Sequence, residues 1–212
     1  MKKVLITGAS SGLGLEIGKL CEKKKFQVIN LSRNKSPFQD IIVDLSDNES
    51  ISKTVEFVKK NHPDFDILIL NSGIMPLEKV GQIEFDIDNL FKINIVGTIK
   101  LVNELFTLIK KNKTDLVFVG STASLKGSDK HSTYCASKHA VEGFIRSLQV
   151  ELKNEPIRVI GFHPGGFNSN LREGIIKEGY MESKDLATLM MDILDLPKTM
   201  EVSEIVINRK KT

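Results

Sequence analysis

Tyr134 and Lys138 stand four residues apart at the start of a segment with helical spacing, so both side chains leave one face of a helix. That spacing sets an ammonium beside a phenol. A free tyrosine ionises near pH ~10, and a neighbouring cation favours the phenolate, moving the group toward the range useful for general acid-base chemistry. Upstream, the hydroxyls of Ser121, Thr122 and Ser124 follow the apolar run Leu116 to Val119. A hydroxyl there suits hydrogen bonding to a substrate oxygen and stabilising the charge that develops on it. Near the amino terminus, Thr7-Gly8-Ala9-Ser10-Ser11-Gly12-Leu13-Gly14 joins the run Val4 to Ile6 to a helical segment, Leu15 to Lys24. Glycines at such a junction let the backbone turn sharply and let a phosphate approach the amides of a helix start, where the dipole favours negative charge.

These residues need a frame. Seven short runs rich in Val, Ile and Leu recur, at Val4 to Ile6, Val28 to Leu31, Ile41 to Val43, Ile67 to Leu70, Leu116 to Val119, Val159 to Phe162 and Ile205 to Ile207. Their near-continuous hydrophobicity predicts strands covered on both faces. Between them lie helical patterns: Ile51, Val55, Val58; then Ile95, Ile99, Val102, Leu105, Ile109; then Val141, Ile145, Leu148, Leu152. Strands alternating with helices imply right-handed βαβ units and a parallel sheet, with ligands at the carboxyl ends of the strands.

At 212 residues and 41% apolar content, one domain spanning residues 1 to 212 is expected, burying roughly 70% of its unfolded surface. The net charge of +3 arises from 30 basic and 27 acidic residues dispersed along the chain, which excludes a concentrated footprint for nucleic acid or an anionic membrane. Lys23-Lys24-Lys25 and Arg209-Lys210-Lys211 are the exceptions, and runs this short read as solvated faces. Two cysteines, Cys21 and Cys135, make no disulfide framework, so a reducing compartment is expected. With no signal peptide and no apolar run near the roughly 18 residues of a membrane helix, the expected location is cytoplasmic.

Thr7 to Gly14 matches letter for letter the TGxxxGxG turn of the short-chain dehydrogenases/reductases, and the chain resembles that family over residues 4 to 208. Asn71-Ser72-Gly73 stands where the family has Asn-Ala-Gly, Asn94-Ile95-Val96-Gly97 where it has Asn-hydrophobic-x-Gly, and Pro164-Gly165 where it has Pro-Gly. Its Ser-then-Tyr-xxx-Lys set appears as Ser121, Tyr134 and Lys138. The resemblance implies a Rossmann-type, doubly wound, mostly parallel seven-stranded sheet with helices on both faces, and hydride transfer between nicotinamide and a small carbonyl or alcohol. It selects Ser121, thirteen residues before Tyr134, over its neighbours. Tyr134 would then exchange the proton with the substrate oxygen, Lys138 would hold the nicotinamide ribose while lowering the tyrosine pKa, and Asn94 would anchor a water in the relay. By residue type alone Asn94 also reads as a helix cap. The implied cofactor-binding set comprises Gly8, Ser10, Ser11, Gly12, Leu13 and Gly14 in the turn, and Ser32, Arg33 and Asn34 after the second strand. It continues with Asp44 and Leu45, Asn71, Ser72 and Gly73, then Tyr134, Lys138, Pro164, Gly165, Phe167 and Ser169. No metal is called for.

The cofactor expected is NADP(H). NAD sites of this architecture place an acid at the end of the second strand, which accepts from the ribose 2′-hydroxyl. Here Phe26 to Leu31 is followed by Ser32-Arg33-Asn34, and a guanidinium suits a 2′-phosphate, with Ser10 or Ser32 as a second donor. Asp44 would face the adenine. Expected substrate-pocket positions are Ile74, Met75, Leu125, Phe167 and Leu171, with Lys126 or Arg172 at the rim favouring a carboxylate. His163 reads as structural, since the tyrosine supplies the acid-base group. Two features depart from the family: a short lid, Asn170 to Ser183, and Ile207-Asn208-Arg209-Lys210 in place of Asp-Gly-Gly. Helical segments Ile95 to Lys111 and Cys135 to Lys153 resemble those through which relatives pair, so a homodimer or homotetramer is expected. The rival reading is a catalytically idle NADP(H)-binding sensor on the same fold.

Overall fold

A computed structural model describes residues 1–169, 171 and 178–210. The chain begins with β1 (Lys3–Thr7), α1 (Gly12–Lys23), β2 (Gln27–Ser32), β3 (Gln39–Ile42), α2 (Asn48–Asn61) and β4 (Ile67–Leu70). Then come α3 (Ile87–Phe91), a π-helical turn (Lys92–Val96), α4 (Gly97–Asn112), β5 (Asp115–Val119), a 3-10 turn (Thr122–Ser124) and α5 (Ser132–Glu151). It ends with β6 (Val159–Pro164), β7 (Phe167–Asn168), β8 (Met181–Glu182), α6 (Ser183–Asp195) and β9 (Glu204–Ile207). Seven strands form one sheet in the order β3-β2-β1-β4-β5-β6-β9, with every pair parallel. The winding reverses between β1 and β4, so their carboxyl ends flank the crevice where such sheets bind ligands.

The strand pleat explains the continuous apolar runs. Leu5, Leu31, Leu68 and Phe118 point into one core with Leu101, Leu105 and Ile145, while Val4, Ile6, Ile69 and Phe162 point into the other with Ile17, Met190 and Met191. The expectation of two-sided burial holds for β1, β4, β5 and β6 and fails at the sheet edges. On β9 burial alternates between exposed and half-buried, and Ile42 on β3 is exposed, because an edge strand has a covered neighbour on one side only. The short pair β7 and β8, joined by Phe167↔Met181, was not legible as a period in the sequence. Half of the expected lid from Asn170, including Arg172, lies outside the described residues, as does Lys211. On the two helical segments expected to pair subunits, Phe106, Leu108 and Phe144 pack on the chain's own core, while Val150 is exposed. Among the described residues no helix is long and apolar enough to cross a membrane.

At the amino ends of the strands, away from the crevice, a buried ion pair ties three elements. Arg158, just before β6, donates from Nε and Nη2 to the two carboxylate oxygens of Asp115 on β5, at 3.2 and 2.6 Å, and from Nη1 to the Leu196 carbonyl after α6 at 3.0 Å. Lys198 reaches the same carboxylate. Removing one partner of a buried pair strands the other charge. Asp115→Ala is therefore expected to lower unfolding free energy by about 3–5 kcal/mol in urea titrations while leaving nucleotide affinity unchanged, and a loss under about 1 kcal/mol would put the pair among ordinary surface bridges.

Candidate active site

Two glycines in the first turn take left-handed backbone, Gly8 at φ +75° and Gly12 at φ +55°. Gly14 serves close approach: a methyl group there would lie 2.4 Å from the Gly8 carbonyl oxygen and 2.6 Å from Asn71 Nδ2. Helix α1 then starts from Ser11 with no side-chain cap and no acidic residue in its first turn. Its first amides and the positive end of its dipole are thus left for an outside anion, which fits the pyrophosphate of a dinucleotide. Thr7 Oγ1 accepts from the Asn71 and Ser72 amides at 2.9 and 3.0 Å, and Asn71 Nδ2 donates to the Thr7 and Gly8 carbonyls at 3.1 and 3.2 Å. The ends of β1 and β4 are therefore cross-braced at the point where the winding reverses.

A cleft of about 220 Å³ runs along this edge. Gly8, Ser10, Ser11, Gly12 and Leu13 line it, as do Ser32, Arg33, Asn34, Asp44, Leu45, Asn71, Ser72 and Gly73, with Tyr134, Lys138, Phe167 and Ser169 at the far end. Of the expected cofactor set, Gly14 lies beneath the turn, and Pro164 and Gly165 line an adjoining cleft that holds Ser121, Thr122, Lys126, His131 and Met75. Tyr134 borders both clefts. Leu125, expected in the pocket, does not line either cleft and is over a third exposed, because the 3-10 turn carries it outward. The Ser32 hydroxyl donates to the Asn34 carbonyl at 2.6 Å, and Ser10 and Ser11 are further hydroxyls lining the cleft.

Asn30 and Asp40 organise this corner, and sequence reasoning passed over both. Asn30 Oδ1 accepts from the Ala9 amide at 2.8 Å, and its Nδ2 donates to Asp40 Oδ1 at 2.8 Å and Ser32 Oγ at 3.0 Å. Hydrogen bonds from Asn30 and Ser36 hold the Asp40 carboxyl below its usual range, against the burial that raises it. An asparagine in the middle of an apolar strand was the available signal, since it must find buried partners. Asp44 is likewise held low, first by its hydrogen bonds from Ser46 and lastly by Arg33.

Lys138 is buried at the end of the cleft, donates to the Val119 carbonyl at 3.0 Å, and has its Nζ 5.9 Å from the Tyr134 ring centre. Burial pulls its pKa down to about 8. The fold sets one of the three hydroxyls apart. Ser124 is buried, with its oxygen accepting from the Ser121 amide at 3.2 Å, whereas Ser121 and Thr122 both line the cleft that Tyr134 borders. Ser121 Oγ accepts from the Ala123 amide at 3.1 Å, which orients the hydroxyl and keeps its proton for donation into the cleft. Asn94 is no helix cap. It sits within the π-helical turn, accepting from the Ile74 amide at 2.8 Å and donating to the Ile74 carbonyl and Ser137 Oγ, each at 3.0 Å. Its side chain thus pins the strap after β4 to α5.

The family model described as short chain dehydrogenase matches residues 2–179. The chain belongs to the short chain dehydrogenase family. Members of this family are oxidoreductases that use a nicotinamide cofactor, NAD or NADP. An L-xylulose reductase from Caenorhabditis elegans is 29% identical over 97% of this chain and 85% of its own. Among solved structures, an alcohol dehydrogenase from Thermococcus sibiricus complexed with 5-hydroxy-NADP superposes with a TM-score of 0.90 at 19% identity, covering 99% of this chain and 97% of that one. A 4-hydroxyisoleucine dehydrogenase complexed with NADH gives 0.87 at 24% identity, covering 99% and 98%.

For a member of this family, the buried Lys138 sets a measurable opposition between stability and activity. Its folded pKa lies below the unfolded value, so the native state disfavours the proton, and the penalty is full below about pH 8 and vanishes as pH rises toward 10.5. Lys138→Met should therefore raise Tm at pH 7 while impairing nucleotide binding and turnover, and the gain in Tm should shrink between pH 8 and 10.5. Calorimetry across that range checks the sign; a variant less stable than the parent at pH 7 would contradict it.

Proposed function

We propose that this chain is an NADP(H)-dependent reductase or dehydrogenase that moves a hydride between nicotinamide and a small carbonyl or alcohol, with Tyr134 as general acid and base. The observation that carries the reading is the position of Tyr134 at the junction of the two clefts, with buried Lys138 on one side and Ser121 on the other. When bound, the nicotinamide supplies or accepts the hydride. Ser121 donates to the substrate oxygen and steadies its charge, and Tyr134 gives its phenolic proton to that oxygen as C=O becomes CH–OH. In the oxidative direction Tyr134 takes the proton back. The Lys138 ammonium favours the phenolate left after transfer and holds the ribose hydroxyls, and Asn94 and the Val119 carbonyl keep that helix face in place. Because Lys138 loses its charge above about pH 8, activity should decline on that limb.

Arg33 supports the choice of NADP. It is exposed at the mouth of the cleft, beside Ser10 and beyond a strand end that carries no carboxylate. A hydrogen bond to a charged group contributes roughly 1.5–3 kcal/mol, or about 10- to 150-fold in affinity. The second cleft is lined by Met75, Phe167 and Leu171 together with Thr122, Lys126, Ser128 and His131, a mixed lining that suits a small carbonyl compound with both apolar and polar groups.

A panel of aldehydes, ketones and diketones with NADPH tests the reading, with Tyr134→Phe as its blank. That variant is expected to lose turnover while nucleotide affinity stays within a few-fold; retained turnover removes the tyrosine from the chemistry. Titrating both nucleotides against the parent and against Ser32→Asp combined with Arg33→Ala tests cofactor choice. The parent should prefer NADPH by about 10- to 150-fold and the double variant NADH, whereas equal affinities in the parent would end the assignment.

A further inference from the structure

His163 in β6 is fully buried, and two glycines make room for it. A methyl group at Gly120 would sit 2.3 Å from its Nδ1, and one at Gly161 would sit 2.6 Å from its Nε2. On the helix side the ring meets Glu142, with Nε2 3.1 Å from Oε2. Glu142 is buried as well. It stands one turn beyond Lys138 on α5, as Lys138 stands one turn beyond Tyr134, so the three form one stripe along the helix. Two of them face the nucleotide cleft, and the third presses on β6.

Filling a slot does not require an imidazole and a carboxylate, since desolvating both costs more than burying an apolar side chain of equal size. Among the described residues, Glu142 Oε2 and the two His163 nitrogens are the buried side-chain polar atoms without an aligned hydrogen bond, so the pair is close but out of line. The charged groups around it come from two elements, α5 and β9. Arg146 on α5 donates to Glu142 Oε1 at 2.5 Å, Glu204 begins β9 within 4.8 Å, and Lys138 lies on the site side. Arg146 already supplies the cation that the two carboxylates call for. The Ser121 main chain is a further hydrogen-bonding group beside the ring. Burial outweighs both glutamates and lowers the His163 pKa, which favours the neutral ring.

The geometry points to Glu142 and His163 as a positioning pair that locks the part of α5 bearing Tyr134 and Lys138 against the end of β5 bearing Ser121. This deepens the proposed function and rests on its assignment of those three residues. A shift of about 1 Å between Tyr134 and Ser121 would cost on the order of 100-fold in rate, which gives such a brace its value.

The test compares His163→Leu, which removes the donor, with His163→Gln, which keeps a donor at similar reach. The Leu variant is expected to lose kcat by about tenfold or more with NADPH affinity unchanged, and Gln to restore it to within about threefold. A second readout needs no turnover. The chain has two tyrosines and no tryptophan, so in a Tyr180→Phe background the ultraviolet absorbance of tyrosinate reports Tyr134 alone. Its midpoint should move in the Leu variant and stay in the Gln variant. A folded Leu variant with parental kcat and midpoint overturns the proposal, as does a Gln variant that behaves like Leu. If the Leu variant does not fold, Glu142→Gln, which keeps shape and removes charge, should lower kcat and move the midpoint, and parental values there overturn the pair. A parent inert toward every carbonyl but with a Leu-specific midpoint shift would refute the enzyme reading and support the brace.

Discussion

Holding the Lys138 ammonium out of water is the constraint around which this molecule is arranged. A buried charge with one carbonyl acceptor is costly, and burial alone pulls its pKa down to about 8. The sheet supplies what makes the burial tolerable. Val119 is the last residue of β5, so its carbonyl is available to the lysine rather than committed to the ladder. The same strand end continues into the turn that presents Ser121, and the same helix presents Tyr134. One costly interaction thus sets the distance between strand edge and helix face.

The nucleotide half of the edge is governed by close approach instead of charge. Gly14 has no room for a side chain, and Asn71 and Thr7 clamp the two strand ends whose separation opens the crevice. Asn30 continues the bracing from the Ala9 amide to Asp40, fixing the loop from which Arg33 extends. These bonds are partly or fully buried, so each satisfies groups that would otherwise weaken the strand ends. At the opposite end of the sheet, the Asp115 and Arg158 pair anchors β5 and β6, leaving the carboxyl edge to be shaped by its ligands.

Much was legible in advance because its causes are local. Short continuous apolar runs mark strands covered on both faces and three-to-four spacing marks helices, so strands, helices and the parallel sheet could be read from the order of apolar residues. Tyr134 and Lys138 share a face for the same reason, and the glycine turn carries its purpose in its residue types. The edge strands were misjudged as two-sided because composition does not say which strands lack a neighbour.

Partners distant in the chain decided the rest. Ser124 is buried while Ser121 and Thr122 line the cleft with Tyr134, the Ser32 hydroxyl is turned to the Asn34 carbonyl, and Asn94 becomes a brace through Ile74 and Ser137. Glu142 and His163 meet only because α5 packs over β6. By itself the sequence determined which chemical groups are present and the order in which strands and helices carry them, since bond geometry transmits that information over a turn or a pleat. Which hydroxyl keeps a proton to give, which amide is spent on structure and which ionisable side chain is kept dry were decided by tertiary structure, because hydrogen bonding and desolvation depend on what packing brings within about 3 Å.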